Sequence, residues 1–211
     1  MPPRLTRPVI VNAAFEVLDE VGIDGLTVRA LAAKLEVKAP ALYWHLDSKQ
    51  ALLDEMGTEV AARIQRTLAD LDDETPLADA LHAYADAMRS EYLRHRDGAR
   101  TFSGTRLTDP ELLRHREGML ARWVAQGHSI EQVSDAFEVV TAYVVGFVIE
   151  EQERSQSSAD RYDLQTRDEI VGADHPLSVA SGHRIFSDPG ARFAQQLDLI
   201  IPALARLESA A

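Results

Sequence analysis

The chain has 211 residues, of which 45% are hydrophobic and 27% charged, with a net charge of −12 and no cysteine. That length supports one or two domains with ordinary cores, and the missing thiols exclude a disulfide framework and a thiolate zinc site. No run of about 18 apolar residues suggests a membrane span, and the opening MPPRLTRPVIVNAAFEVLDE is not a secretory signal, because its short apolar run leads into acidic residues; a cytoplasmic protein with no membrane partner is expected.

Helical periodicity dominates the chain. A first helix over about 7–21 places Ile10, Ala14, Val17, Leu18 and Val21 on one stripe, and Gly22 stops it. Thr27 caps a second helix with Val28, Leu31, Ala32 and Leu35 inward. After a break at Glu36-Val37, a third helix runs from Pro40 to about Leu46, with proline in its first turn. Ser48 caps a long fourth helix over about 49–68 through Leu52, Leu53, Met56, Val60 and Ile64. The acidic break DLDDETP precedes a helix over about 77–95, and residues 99–109 are mixed. TDPE opens a helix over about 110–126, which ends at Gly127. SIEQ has capping-box spacing and opens an apolar helix over about 130–154. Residues of about 155–188 are polar and predict a long loop with one short helix at most. A last helix over about 189–207 aligns Phe193, Leu197, Ile200, Ile201, Leu204 and Leu207. The fold class is all-α: an N-terminal three-helix domain over 1–48 and a larger helical domain over 49–211.

Charge is uneven along the chain. Residues 1–50 carry six basic and six acidic side chains, so the remainder holds the whole −12. An interaction module on an acidic body has this form, and so do two solvated surfaces of different composition. The second and third helices add a further signal, for which a small helical core with a surface aromatic patch is the plainer alternative. A short helix, a tight turn and another short helix form the helix-turn-helix grammar of DNA binding. Lys38, Ala39, Pro40 and Ala41 begin the second member, where small residues permit close approach to the major groove. Tyr43, Trp44 and His45 can donate to phosphate oxygens, and Lys49 adds charge at the next helix. Thr27 turns a helix N-terminus toward a phosphate. Arg29 reaches a phosphate or a guanine edge. Leu31, Leu35, Val37, Leu42 and Leu46 form the core that holds the pair.

GIDGLTVRALAAKLEV followed by ALYWHLDSKQALLD resembles the DNA-binding domain of the TetR family of transcriptional repressors, and most closely that of the tetracycline repressors. HRDGAR…GTR over His95–Arg106 and GFVIEEQER over Gly146–Arg154 also resemble tetracycline-repressor segments. The resemblance implies an all-α homodimer whose last two long helices form a four-helix bundle. It implies a palindromic double-stranded DNA operator and a small-molecule effector acting through the fourth helix. Independently, the apolar girth of helix 130–154 and the stripe of the last helix call for a partner surface. One monomer core covering both is the plainer alternative.

In the tetracycline repressors the effector is a magnesium chelate ligated by a histidine. Here Phe102 stands at that place, and phenylalanine is no ligand. Gln65, Tyr84, Met88, Met119 and Ala142 also replace residues of that subfamily, whereas Thr105, Arg106 and Glu150 match it. The expectation is therefore an effector other than magnesium-tetracycline, with no metal and no cofactor held by the chain. Gln65, Tyr84, Met88, Phe102, Thr105, Arg106, Met119, Trp123 and Glu150 are the candidate ligand residues, in an aromatic-lined cavity with few polar anchors. A plain core role is the simpler expectation for any one of the apolar members. Ala39 and Ala41 replace longer polar residues, which implies a different operator.

His82, His95, His115, His128, His175 and His183 show no HExxH spacing. Neither a GxSxG elbow nor a phosphate loop is present, so no catalytic residues are assigned. The rival function is a small-molecule-binding protein or helical enzyme without sequence-specific DNA binding. Steep salt dependence of DNA affinity separates the two.

Overall fold

The computed structural model describes residues 5–205. Leu207, placed by its spacing on the last apolar stripe, lies outside the described residues. Within them the chain is all helix, with no strand.

Helix α1 (Arg7–Gly25) buries Ile10, Val11, Ala14, Phe15, Val17 and Leu18. Its regular part ends where the sequence expects, at Gly22, whose φ of 74° is left-handed. A side chain there would also meet the Asp97 carboxylate at 2.6 Å. Helix α2 (Val28–Lys34) starts on Thr27, whose hydroxyl oxygen accepts from Ala30 N–H at 3.1 Å. The turn into α3 (Ala39–Leu42) passes through Glu36 at φ 54° and is pinned by Val37 N–H on Ala32 O at 3.0 Å. α3 is shorter than the expected Pro40–Leu46 helix. Beyond Leu42 the chain tightens, His45 N–H reaching back three residues to Leu42 O.

Helix α4 (Lys49–Ala69) runs from its Ser48 cap into the second domain, followed by α5 (Leu77–Leu93) and the short α6 (Gly98–Phe102). Helix α7 (Pro110–Ala125) starts on Asp109, and α8 (Ile130–Gln156) on the Ser129/Gln132 capping box. Helix α5 packs between α4 and α8, and α11 (Pro189–Leu204) closes on α5 and α8. By length and hydropathy alone α8 could cross a bilayer. It instead buries Val133, Phe137, Val140, Val144 and Val148 in the core.

The expected loop over 155–188 is overturned. After a 3₁₀ turn at Ala159–Tyr162 it forms helices α9 (Leu164–Val171) and α10 (Pro176–Ile185). Polar contacts build this hairpin. Asp163 caps α9 at Thr166 N–H (2.7 Å), His183 meets Asp168 at 2.6 Å, and Arg167 donates to Ser178 O at 2.9 Å. Gly182 makes room for the Arg167 guanidinium, with which any side chain at that position would collide. Ile170 and Leu177 stay 81% and 85% exposed. Neither helix buries a large apolar side chain, so polar contacts and not an apolar face against the core set their place.

Candidate functional site

Two sites emerge, one on each domain. On the first, α2 and α3 present Arg29, Lys38 and Pro40 as exposed groups, with Ala39 and Ala41 half-buried. Leu31 and Leu42 are buried beneath them, with Leu35, Val37 and Leu46 packed alongside. Trp44 is 89% exposed and Tyr43 56%, while His45 is half-buried. Leaving a large indole in water forgoes roughly 2–3 kcal/mol of burial, and with Tyr43 it forms an exposed aromatic patch beside α3. Thr27 accepts from the backbone and keeps its hydroxyl hydrogen for an outside acceptor. Lys34 is not free: Glu16 and Glu20 bind it at 2.9 and 2.8 Å, and these bonds hold its ammonium above the usual lysine range. Lys49 does something the sequence did not suggest. Its ammonium donates to Ile23 O at 2.8 Å, tying the start of α4 to the end of α1.

The second site is a cavity of about 520 Å³ between α4, α5, α7, α8 and the turn after α6. That size suits a drug-sized molecule. Gln65, Tyr84, Met88, Phe102, Thr105 and Met119 line it. The other three candidates do not. Arg106 is exposed, and only its backbone is engaged nearby. Trp123 is fully buried against Phe137 at 5.2 Å, its indole N–H donating to Thr75 O. Glu150 is exposed and paired with Arg154 at 3.0 Å.

Residues not singled out in the sequence complete the lining: Tyr92, Arg116, Phe137, Glu138 and Thr141 among them. A signal was available. Phe137, Thr141 and Val145 recur every four residues on α8, as do Tyr84, Met88 and Tyr92 on α5, so each set shares one face. Tyr84 packs edge-on against Phe137 at 5.0 Å, and its hydroxyl lies 2.9 Å from Thr141 Oγ1. Burial raises the Tyr84 phenol above its ordinary range, against the Thr141 hydrogen bond and the Arg116 charge. Tyr84 is therefore a neutral hydrogen-bonding group.

The donor set does not fit a magnesium chelate. Phe102 is buried and offers no lone pair, and Glu138 is the one carboxylate among the lining residues described. Among the described residues no cluster of three His, Cys, Asp or Glu could hold a metal.

Two sets of contacts join cavity and head. The Asp54 carboxylate on α4 accepts from Arg106 N–H at 3.1 Å, and Thr58 Oγ1 accepts from Thr108 N–H at 2.9 Å. Gly57 between them lets Thr105 approach; a Cβ there would overlap Thr105 Oγ1. On the other side, Phe102 packs on Phe15 of α1 at 5.9 Å. His95 stacks on Phe15 at 4.5 Å and meets Asp19 at 3.1 Å, and Asp97 accepts from Ile23 N–H at 3.0 Å. The cavity wall is thus in contact with the helix that carries the reading head.

A helix-turn-helix head fixed to a helical body with a ligand-sized cavity defines a DNA-binding regulator. Residues 10–56 match the family described as "Bacterial regulatory proteins, tetR family", and residues 71–207 match "Tetracyclin repressor-like, C-terminal domain". The chain belongs to the TetR family of transcriptional regulators. It is 32% identical over 206 residues to the tetracycline repressor protein class C of Escherichia coli, covering 97% of this chain and 92% of that one. Its fold is similar to that of a TetR variant from Acinetobacter baumannii AYE in complex with minocycline (TM-score 0.76, 32% identity, 98% of this chain and 100% of that one). It is also similar to BioQ with its natural double-stranded DNA operator (TM-score 0.62, 28% identity, 96% and 99%).

Proposed function

We propose that this protein is a homodimeric repressor that binds a palindromic operator and is released by a small molecule other than magnesium-tetracycline. Residues 1–48 read DNA, and 49–211 bind the effector and form the dimer. It acts in the cytoplasm, by binding and not by catalysis. One observation carries the reading: the loop lining the cavity is fastened to α4 by Asp54 and Thr58, and the same helix is fastened to the head through Lys49.

A ligand that fills the cavity bears on Thr105 and on the cavity face of α4 at once. Any displacement of that helix re-aims α2 and α3. In a two-fold dimer this changes the spacing of two reading heads, and spacing is what a palindrome measures. The ligand shifts the equilibrium only by its difference in affinity for the two arrangements. Leu199 on α11 is 78% exposed and Val139 on α8 43%, which supports these helices as the face between two copies. A dimeric assembly is typical of the family, and relatives are solved with minocycline and with operator DNA.

Selection from a random pool of double-stranded DNA at moderate salt tests the proposal. A recovered palindrome is expected. Folded protein that enriches no sequence, with only a shallow salt slope, would instead favour a binding protein or enzyme that does not read DNA.

A further inference from the structure

The hydroxyls of Tyr84, Thr105 and Thr141 give part of the cavity a hydrogen-bond polarity. A hydroxyl carries one hydrogen. Thr141 gives its hydrogen to Phe137 O at 2.8 Å, one turn back along α8. Tyr84 Oη sits 2.9 Å from Thr141 Oγ1. With the Thr141 hydrogen already committed, Tyr84 donates and Thr141 accepts. Thr105 likewise gives its hydrogen to Phe102 O at 2.9 Å. These three hydroxyls therefore offer the cavity lone pairs and no hydrogen, whereas Tyr92, Ser103 and Ser134 line other parts of it with hydroxyls of their own. Arg116 lines the same cavity and has the opposite character, because a guanidinium only donates. Arg116 is exposed at the cavity's edge, on the same cavity as the Tyr84 hydroxyl.

We propose that the cavity selects an aromatic compound bearing a free hydroxyl, which accepts from Arg116 and donates to Tyr84 Oη; this deepens, and rests on, the effector reading above. The ligand hydroxyl completes a one-way chain: Arg116 to ligand, ligand to Tyr84, Tyr84 to Thr141, Thr141 to the Phe137 carbonyl. A single oxygen that both accepts and donates is required at that link, and an ether or ketone oxygen cannot donate. A ketone can accept from Arg116 but leaves the Tyr84 lone pair without a donor; to engage Tyr84 as well, Tyr84 must turn its hydrogen into the cavity and Thr141 must turn its own to Tyr84. The Thr141–Phe137 bond is then lost. One net hydrogen bond corresponds to about tenfold in affinity. The ring of the ligand lies against Met88, Phe102, Met119 and Phe137.

Equilibrium dialysis of the full chain against 2-naphthol, 2-methoxynaphthalene and 2-acetylnaphthalene reads this directly. The naphthol is expected to bind about tenfold tighter than either analogue. Tyr84→Phe should lower naphthol affinity to that of the methyl ether and leave the ether unchanged. Thr141→Val removes the acceptor and frees the Tyr84 hydrogen, so the acetyl compound should gain and the naphthol advantage shrink. Ala61→Phe, which fills the cavity, should weaken all three. Equal affinities for the three compounds overturn the hydroxyl preference while leaving a small-molecule site. An undiminished naphthol advantage over the acetyl compound in folded Thr141→Val, or full binding in Ala61→Phe, also overturns it. Binding of none of them, by protein that still selects an operator, overturns both the preference and the effector reading of this cavity.

Discussion

Asp54 Oδ1 accepts the backbone N–H of Arg106 at 3.1 Å, although 52 residues separate the two in sequence. This bond clamps the cavity loop onto α4, and the same oxygen takes a second bond from Gln50 at 3.0 Å. Asp54 is buried, so Asp54→Ala leaves an orphaned amide. It should cost about 1–3 kcal/mol in chemical denaturation. Operator affinity should change as well, because the clamp that positions α4 is gone. An Asp54→Ala protein with unaltered operator affinity would remove this bond from the signalling path.

Gly57 tests the same clamp by steric pressure. Gly57→Ala places a methyl on top of Thr105 Oγ1, so the Thr105 loop must move. The expected cost is about 1–3 kcal/mol. Thr105→Gly in the same chain should recover most of it, and failure to recover would locate the strain elsewhere.

At the reading head, Lys38→Ala should alter which base pairs are preferred in a binding selection, by about 1–3 kcal/mol at the affected position. Tyr43→Ala should weaken all operators alike. Lys49→Ala is expected to do two things, because its ammonium is already engaged by Ile23 O. It should lower operator affinity and lower the melting temperature together. Loss of affinity without loss of stability would return Lys49 to the role of a phosphate contact.

Alkaline pH should destabilise the fold through its buried phenols. Burial raises Tyr84, Tyr92 and Tyr143 above the ordinary range, Tyr143 being pushed up to about 12. A folded-state pKa above the unfolded one gives stability that is complete below about pH 10 and is lost as pH rises toward 12. Absorbance titration should show these three of the five tyrosines ionising late. Tyr143→Phe should flatten the alkaline fall in melting temperature.

Acid should loosen the α9–α10 hairpin locally. The backbone N–H of Thr166 holds the Asp163 carboxyl below its usual range. Its contribution is present above the unfolded pKa and is lost as pH falls through the folded one. Hydrogen exchange should therefore show α9 amides losing protection on acidification before those of α8. Asp163→Asn, which keeps the cap without the charge, should remove that pH dependence.

The N-terminal helix-turn-helix and most helix boundaries were legible in neighbouring residues of the chain. Thr27, Ser48, Asp109 and Ser129 are caps whose partners lie two or three residues away. The apolar stripes of α1, α4, α8 and α11 are periodic in the same local sense. Part of the cavity lining was legible on the same terms, since Tyr84 and Met88 lie one turn apart on α5. Tertiary structure alone decided the rest. It paired Tyr84 with Thr141 across 57 residues, put Trp123 in the core, turned Arg106 outward and folded 164–185 into two helices. Caps and stripes are short-range physics, written into neighbouring residues. Which side chain fills a cavity, and where each hydroxyl sends its hydrogen, depends on partners that only the packed chain brings together.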